Sequence, residues 1–450
     1  MNANVFALPH PKAKFFLGHL PSLSKERIEF LTQCAREYGD IVPLRLGNTP
    51  ALFLNRPEYI EQVLNNRKLF VKKGNALRRL LGEGLITSEG ESWFRQRRLI
   101  QPVFHQKQIA TYADVMVANT EQMLEDWQNG EIRNVHQDMM SLTLNIIVKT
   151  IFSIDLSHQE AKTIAFALDI ALEYFQKMPG QNPLQWLPTP ESWRVKRAIE
   201  ALDRTIYNII SQRRNSNEAK AKTDLLSMLM QTQDEADGSV MSDKQLRDEV
   251  ATLIFAGHET TANALSWMWI LLSEHPQVQS KLLTELTAVL GDRYPTLADI
   301  PNLPYTNMVI KEAMRLYPPV PLILRKAAQN CEIGGYFVPA ECVLLMSQWT
   351  MHRHPSYFKD PDLFIPERWA NDLEKQLPKG VYFPFGDGSR ICIGKNFALI
   401  EAVLIVATIA PKFQISLSPN QQIVPQASIS LRPKHGLKVV ITERYLLSQE

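Results

Sequence analysis

The amino-acid sequence predicts a mainly α-helical fold with a minor β part. Three observations carry that prediction: a helical apolar rhythm from about residue 89 to 275, one helix of about thirty residues within it, and short alternating apolar runs near the two ends of the chain. At 45% hydrophobic and 21% charged over 450 residues, the chain can bury a large core. No linker, low-complexity tract or internal repeat divides it, so a single domain over residues 1–450 is expected.

Each element follows from local chemistry. Arg45 to Leu54 places a Gly47-Asn48 turn between two apolar runs, the pattern of a hairpin. In the helical middle, the polar breaks Arg213 to Lys222 and Asp234 to Ser242 are expected to be surface loops. Ser242 and Gln245 form a capping-box pattern, and Leu246, Val250, Leu253, Ile254, Leu265, Met268 and Leu272 follow at helical spacing. This helix should stop before Pro276 and, at about 1.5 Å per residue, reach about 50 Å, crossing the molecule. Its centre reads Ala256-Gly257-His258-Glu259-Thr260-Thr261. A glycine there costs about 1 kcal/mol against alanine and a threonine hydroxyl can bond the carbonyl one turn back, so the helix should widen or bend. Taken alone, a packing glycine and self-satisfied threonines explain the run. The apolar segment Phe397 to Ala410, interrupted by Glu401 and ended by Pro411, reads as a buried helix. Phe413 to Glu443 reads as short strands separated by Pro425 and Pro433.

Charge and cysteine usage exclude several function classes. With 49 Lys+Arg against 47 Asp+Glu the formal charge is +2, which lacks the concentrated basic balance of a nucleic-acid partner and favours a small-molecule one. Cys34, Cys331, Cys342 and Cys392 have neither zinc-like spacing nor the density of a disulfide scaffold, which fits a reducing, cytoplasmic compartment. No apolar run reaches the roughly 20 residues of a spanning helix, so no membrane anchor is expected.

One cysteine has unusual surroundings. Phe385-Gly386-Asp387-Gly388-Ser389-Arg390-Ile391-Cys392-Ile393-Gly394 is a glycine-rich turn directly before a helix. Turn amides and the helix N-terminus should favour a thiolate, and Gly386, Gly388 and Gly394 permit a tight loop that approaches a flat ligand closely. Arg390 offers a cation for an acidic group two residues from the sulfur.

This loop is similar to the haem-binding loop of the cytochromes P450, and the resemblance extends over essentially the whole chain with its motifs in family order. It implies haem b held through Cys392 as the iron ligand, with Phe385, Gly386, Gly394 and Ala256 against it. Ala256 to Thr261 resembles the family's oxygen-activation motif, which implies Thr260 as hydrogen-bond donor to dioxygen and Glu259 as proton relay. Glu312-Ala313-Met314-Arg315 resembles its E-x-x-R pair, and Pro366-Glu367-Arg368-Trp369 the segment that adds a second arginine. The spacing independently puts Glu312 and Arg315 on one helix face, where Arg368 can bridge the same carboxylate. Trp93 and Arg97 resemble the family's W-x-x-x-R beside the haem, and Arg325 matches another propionate-binding arginine; with Arg390 this makes three cations for two haem carboxylates.

Family position also implies an apolar pocket. Its walls would be Leu80, Leu81 and Leu85; Phe175 and Met178; Phe255; Val320, Leu322 and Ile323; and Leu431. The reading is a monooxygenase inserting one oxygen atom of O2 into a lipophilic substrate. The motifs look closest to the bacterial, fatty-acid-hydroxylating branch, so long-chain fatty acids come first and terpenoids second. No fused reductase is expected, and so a separate ferredoxin or flavodoxin is, with Arg98, Lys107 and Lys395 as candidates for its docking face; a monomer is expected as well. Two alternatives stand: a haem-dependent isomerase or peroxygenase on the same fold, and a non-catalytic haem sensor.

Overall fold

The computed structural model describes residues 3–72, 77–177, 189–215, 224–231 and 240–444. Met178, and the side chain of Phe175, lie outside the described residues.

The elements that position the site are, in chain order, strands β1 (Ile41–Leu46), β2 (Thr49–Leu54) and β3 (Phe70–Val71), then helix α1 (Gly90–Ile100). Strand β4 (Ile132–Asn134) precedes helices α2 (Val135–Phe152), α3 (His158–Lys177) and α4 (Pro190–Asn215). The long helix α5 (Asp243–Glu274) and α6 (Pro304–Leu316) follow, then strands β5 (Leu322–Ala327) and β6 (Val343–Ser347). Helix α7 (Lys395–Ile409) leads into β7 (Phe413–Leu417), β8 (Pro425–Ala427), β9 (Leu431–Pro433) and β10 (Lys438–Glu443). The fold is mainly α with small sheets, as the sequence predicts.

The hairpin forms where expected, with Ile41 opposite Leu54 and Leu46 opposite Thr49. It belongs to a mixed sheet in the order β1-β2-β6-β5-β3, which joins the two ends of the chain. The capping box of α5 is present in full: the Ser242 side chain accepts from the Gln245 amide, and the Gln245 side chain accepts from the Ser242 amide. The helix ends at His275, one residue before the proline. It is buried on nearly every side, as expected of a helix through the centre of a large domain.

Three local expectations are corrected. Helix α4 continues through the first of the supposed loop residues, and Arg213 is buried, bonded to Asp224, to the Ser227 hydroxyl and to the Phe152 carbonyl. A long polar side chain with fixed buried acceptors reads in sequence like a solvated one. Residues 216–223 and 232–239 lie outside the described set, and Met241 beyond them is buried. Pro425 and Pro433 do not separate strands; they lie within β8 and β9, opposite one another in an isolated two-stranded ribbon that leaves room for residues without an amide hydrogen. Finally, α5 runs unbroken through Gly257. A Cβ there would sit 2.6 Å from Cδ1 of Ile147 on α2, so this glycine serves close helix approach.

Candidate active site

The cysteine loop is built by its glycines. Gly386 (φ +70°) and Gly388 (φ +67°) occupy the left-handed region, and a Cβ on Gly388 would collide with the Leu64 carbonyl. Gly394 has φ −90° and needs no such freedom; it caps α7, and its backbone N–H is directed at the Cys392 sulfur. The Cys392 amide donates to the Phe385 carbonyl at 2.9 Å, closing the loop. Arg97 on α1 donates to the Ile391 carbonyl at 2.9 Å, so a guanidinium lies beside the sulfur.

The thiol is nevertheless held above its ordinary pKa, because burial outweighs the Gly394 amide, Arg97 and Lys395. The Gly394 amide does favour the thiolate, as the sequence predicts, but burial is the larger effect. The Cys392 side chain is itself accessible.

A second accessible surface interrupts the burial of α5. Ala256, Thr260 and Ala264 are half-buried among mostly buried neighbours, and their four-residue spacing puts them on one stripe. Thr260 donates to the Ala256 carbonyl at 2.8 Å. Glu259, adjacent in sequence, points elsewhere: it is 2% exposed and accepts from the Ser430 hydroxyl at 2.6 Å. Burial raises its pKa, opposed by the bond from Ser430 and by Arg432. Ser430, on the approach to β9, is a partner that no local spacing reveals, since it lies 171 residues away.

The cations gather at one edge. Trp93 is buried, with the Arg97 and Arg390 guanidiniums 5.6 and 4.5 Å from its ring centre. Arg390 donates to the Ser88 carbonyl at 3.0 Å and pairs with Glu89 at 2.5 Å. Arg325 is buried, bonded to its neighbour's carbonyl, and lowered to about 10 by burial and by Arg390. Lys72, which the sequence reading missed, joins them and is lowered to about 7 by burial and by both arginines. Glu89 is the acid that opposes this charge in each case. A buried excess of positive charge with one carboxylate against it suits a ligand bearing further carboxylates, and an accessible sulfur between glycines suits a flat metal-bearing one. These donors fit haem.

Behind the loop, Glu312 and Arg315 have no exposed surface and form a two-point pair, Nε to Oε2 and Nη2 to Oε1, each at 2.8 Å. Arg368 donates to Oε1 at 2.8 Å, and the Trp369 indole, not anticipated, donates to Oε2 at 2.9 Å. Among the pocket candidates, Leu80, Leu81 and Leu431 are fully buried in the core, Leu85 and Phe255 are nearly so, and Val320, Leu322 and Ile323 are half-buried. Of the proposed docking cations, Arg98 and Lys107 are exposed and Lys395 pairs with Glu374 at 3.5 Å.

Comparison with known proteins identifies the family and the fold. A sequence model described as cytochrome P450 matches residues 8–440. The chain is 37% identical to cyclooctatin synthase of Streptomyces melanosporofaciens, over 92% of this chain and 91% of that one. It is 36% identical to cyclooctat-9-en-7-ol 5-monooxygenase of the same organism (90% and 88%) and 30% identical to pentalenene oxygenase of Streptomyces avermitilis (96% and 97%). The crystal structure of the cytochrome P450DA haem domain superposes with a TM-score of 0.86 at 26% identity, covering 99% of this chain and 98% of that one.

Proposed function

Because this chain belongs to the cytochrome P450 family, as a monooxygenase with haem b as cofactor, we propose that it hydroxylates a terpenoid. The observation that carries this reading is the open stripe of α5, which is apolar apart from one hydroxyl, Thr260. Such a wall suits a hydrocarbon scaffold that needs exclusion of water and one positioned donor. Three relatives whose names concern terpenoid oxidation, at 30–37% identity over nine-tenths of the chain, support it over the fatty-acid alternative.

The haem iron, bound through Cys392, would supply oxygen activation, which a thiolate ligand favours. The protein's own residues do the rest. Lys72, Arg325 and Arg390 would hold the haem carboxylates, with Trp93 packed against Arg390 and Arg97. Thr260 releases its bond to the Ala256 carbonyl and donates into the pocket. Glu259, whose carboxyl burial holds above its ordinary pKa, is the candidate proton relay, and it reaches Thr260 only after leaving Ser430. The Glu312–Arg315–Arg368 cluster fixes the backbone at His352 and from Lys359 to Ile365. Electrons come from a separate ferredoxin or flavodoxin whose acidic face meets Arg98 and Lys107. Among the described residues no helix is long and apolar enough to cross a membrane.

The test is a screen of terpenoid hydrocarbons and alcohols against long-chain fatty acids for a substrate-induced change in iron spin state, followed by product analysis with a reductase and ferredoxin. Terpenoids that shift the spin state and return singly hydroxylated products are expected. Fatty acids alone doing so would overturn the assignment.

A further inference from the structure

The segment Gly82–Ser88 lies along α5, and two consecutive acids of that helix hold its alternate amides. The Glu83 N–H donates to Asp248 Oδ2 and the Leu85 N–H to Glu249 Oε2, each at 3.0 Å. The approach is too close for side chains: a Cβ on Gly82 would collide with the Asp248 carboxyl, and one on Gly84 with the Thr252 hydroxyl. The segment is also tied to itself, to α1, to Arg78, which pairs with Glu83 at 2.5 Å, and to Lys72, whose Nζ donates to the Ile86 carbonyl at 3.3 Å. Thr87 Oγ1 donates to the Gly82 carbonyl at 2.7 Å, and Gln96 Nε2 to the Glu83 carbonyl at 2.7 Å. At its far end Ser88 accepts from Arg390 of the cysteine loop. It therefore runs from the short helical turn that ends at Leu81 to the cysteine loop.

The two acids are not equivalent. Asp248 also binds Arg247 at 3.0 Å and Lys244 at 3.3 Å, which accounts for a buried charge. Glu249 is 1% exposed, its second oxygen has no hydrogen-bond partner, and Leu85 is the partner of the first. Burying a carboxyl for one backbone hydrogen bond is poor stabilisation, and an apolar side chain there would serve the core better. What the carboxyl does supply is a fixed point for one backbone atom.

We propose that Glu249 is a specificity-determining positioning residue: by holding the Leu85 amide against the long helix, it sets where that wall of the substrate pocket stands. The inference rests on the haem site assigned above but not on the terpenoid substrate. Burial, with Asp248 adding to it, pushes the Glu249 carboxyl up to about 8, so at neutral pH it accepts as an uncharged group. Glutamine reproduces that acceptor. Leucine, of similar size, does not.

The probes are imidazole and 4-phenylimidazole, whose binding to the holoprotein is read from the haem absorption shift and differs in how much pocket each occupies. Loss of a buried acceptor leaves the Leu85 amide unsatisfied, so Glu249→Leu should weaken 4-phenylimidazole about tenfold while imidazole changes less than about twofold. Glu249→Gln should restore both. A Leu variant that shifts both azoles alike or neither, or a Gln variant that fails to restore, overturns the proposal; a purely structural role would lower the melting temperature without moving the ratio. Should Glu249→Leu fail to fold, Glu249→Asp keeps the acid but retracts it by one methylene, and must change the same ratio. An unchanged ratio there is also a refutation.

Discussion

Thr260 has two hydrogen-bonding options, and the structure shows the one that is internal to its helix. Such back-bonding contributes little to stability, so removing the hydroxyl should leave the fold almost untouched. Its functional loss should be larger, because no other side chain on the open stripe of α5 carries a proton. Thr260→Ala is therefore expected to change the melting temperature by less than about 2 °C, in line with a ΔΔG below about 0.5 kcal/mol. Electron consumption should continue while product per electron falls and hydrogen peroxide rises. Parallel measurement of cofactor oxidised, product and peroxide checks this, and unchanged coupling would remove the assigned role. At this scale the sequence was legible wherever partners lie within a few residues. Glu312 and Arg315 needed only helical spacing, whereas the Trp369 indole on the same carboxylate and Ser430 on Glu259 depend on distant chain returning to the site.

At the scale of elements, the contact of α5 with α7 contains a buried acid whose consequence can be measured. Glu401 has no exposed surface, neither of its oxygens has a hydrogen-bond partner among the described residues, and burial pushes it up to about 8, opposed by the nearby Thr261 of α5. In the fold the group is neutral at pH 7, whereas in the unfolded chain it ionises near 4.5. Stability linked to this residue is thus fully present below about 4.5, declines as pH rises, and is constant again above about 8. The slope between those limits is at most about 1.4 kcal/mol per pH unit. Glu401→Gln carries no such dependence. The variant's stability relative to the parent should climb from about pH 5 to pH 8 and then level off, as read from denaturant unfolding of both holoproteins across that range. A flat difference would show that Glu401 is ionised in the fold. The apolar run around it made α7 legible, but the unpaired state of this acid was not, because pairing is decided by what α5 presents. The capping box of α5 shows the opposite case, a boundary written entirely in four adjacent residues.

At the scale of the molecule, the chain's two halves are interleaved. The mixed sheet takes β1, β2 and β3 from the first half and β5 and β6 from the second, and β4 pairs with β10. The largest apolar cluster holds Ile28 and Ile441 together with the length of α5. The sequence showed that no linker divides the chain, but not this interleaving, because strand pairing between residues nearly 300 apart leaves no periodic trace. A cut between α4 and α5, at residue 235, would leave the first fragment with unpaired strand edges and the α2 face that α5 covers exposed to water. We propose on that ground that residues 1–450 form one cooperative unit. The fragment 1–235 expressed alone should be protease-sensitive and melt without a cooperative transition by circular dichroism. Mixed with the fragment 236–450 and haem, it should gain a cooperative transition together with the strongly red-shifted carbon monoxide band of the thiolate-ligated protein. Cooperative melting of the first fragment by itself would mean that the core divides, and that α5 is a partition between two domains instead of the centre of one.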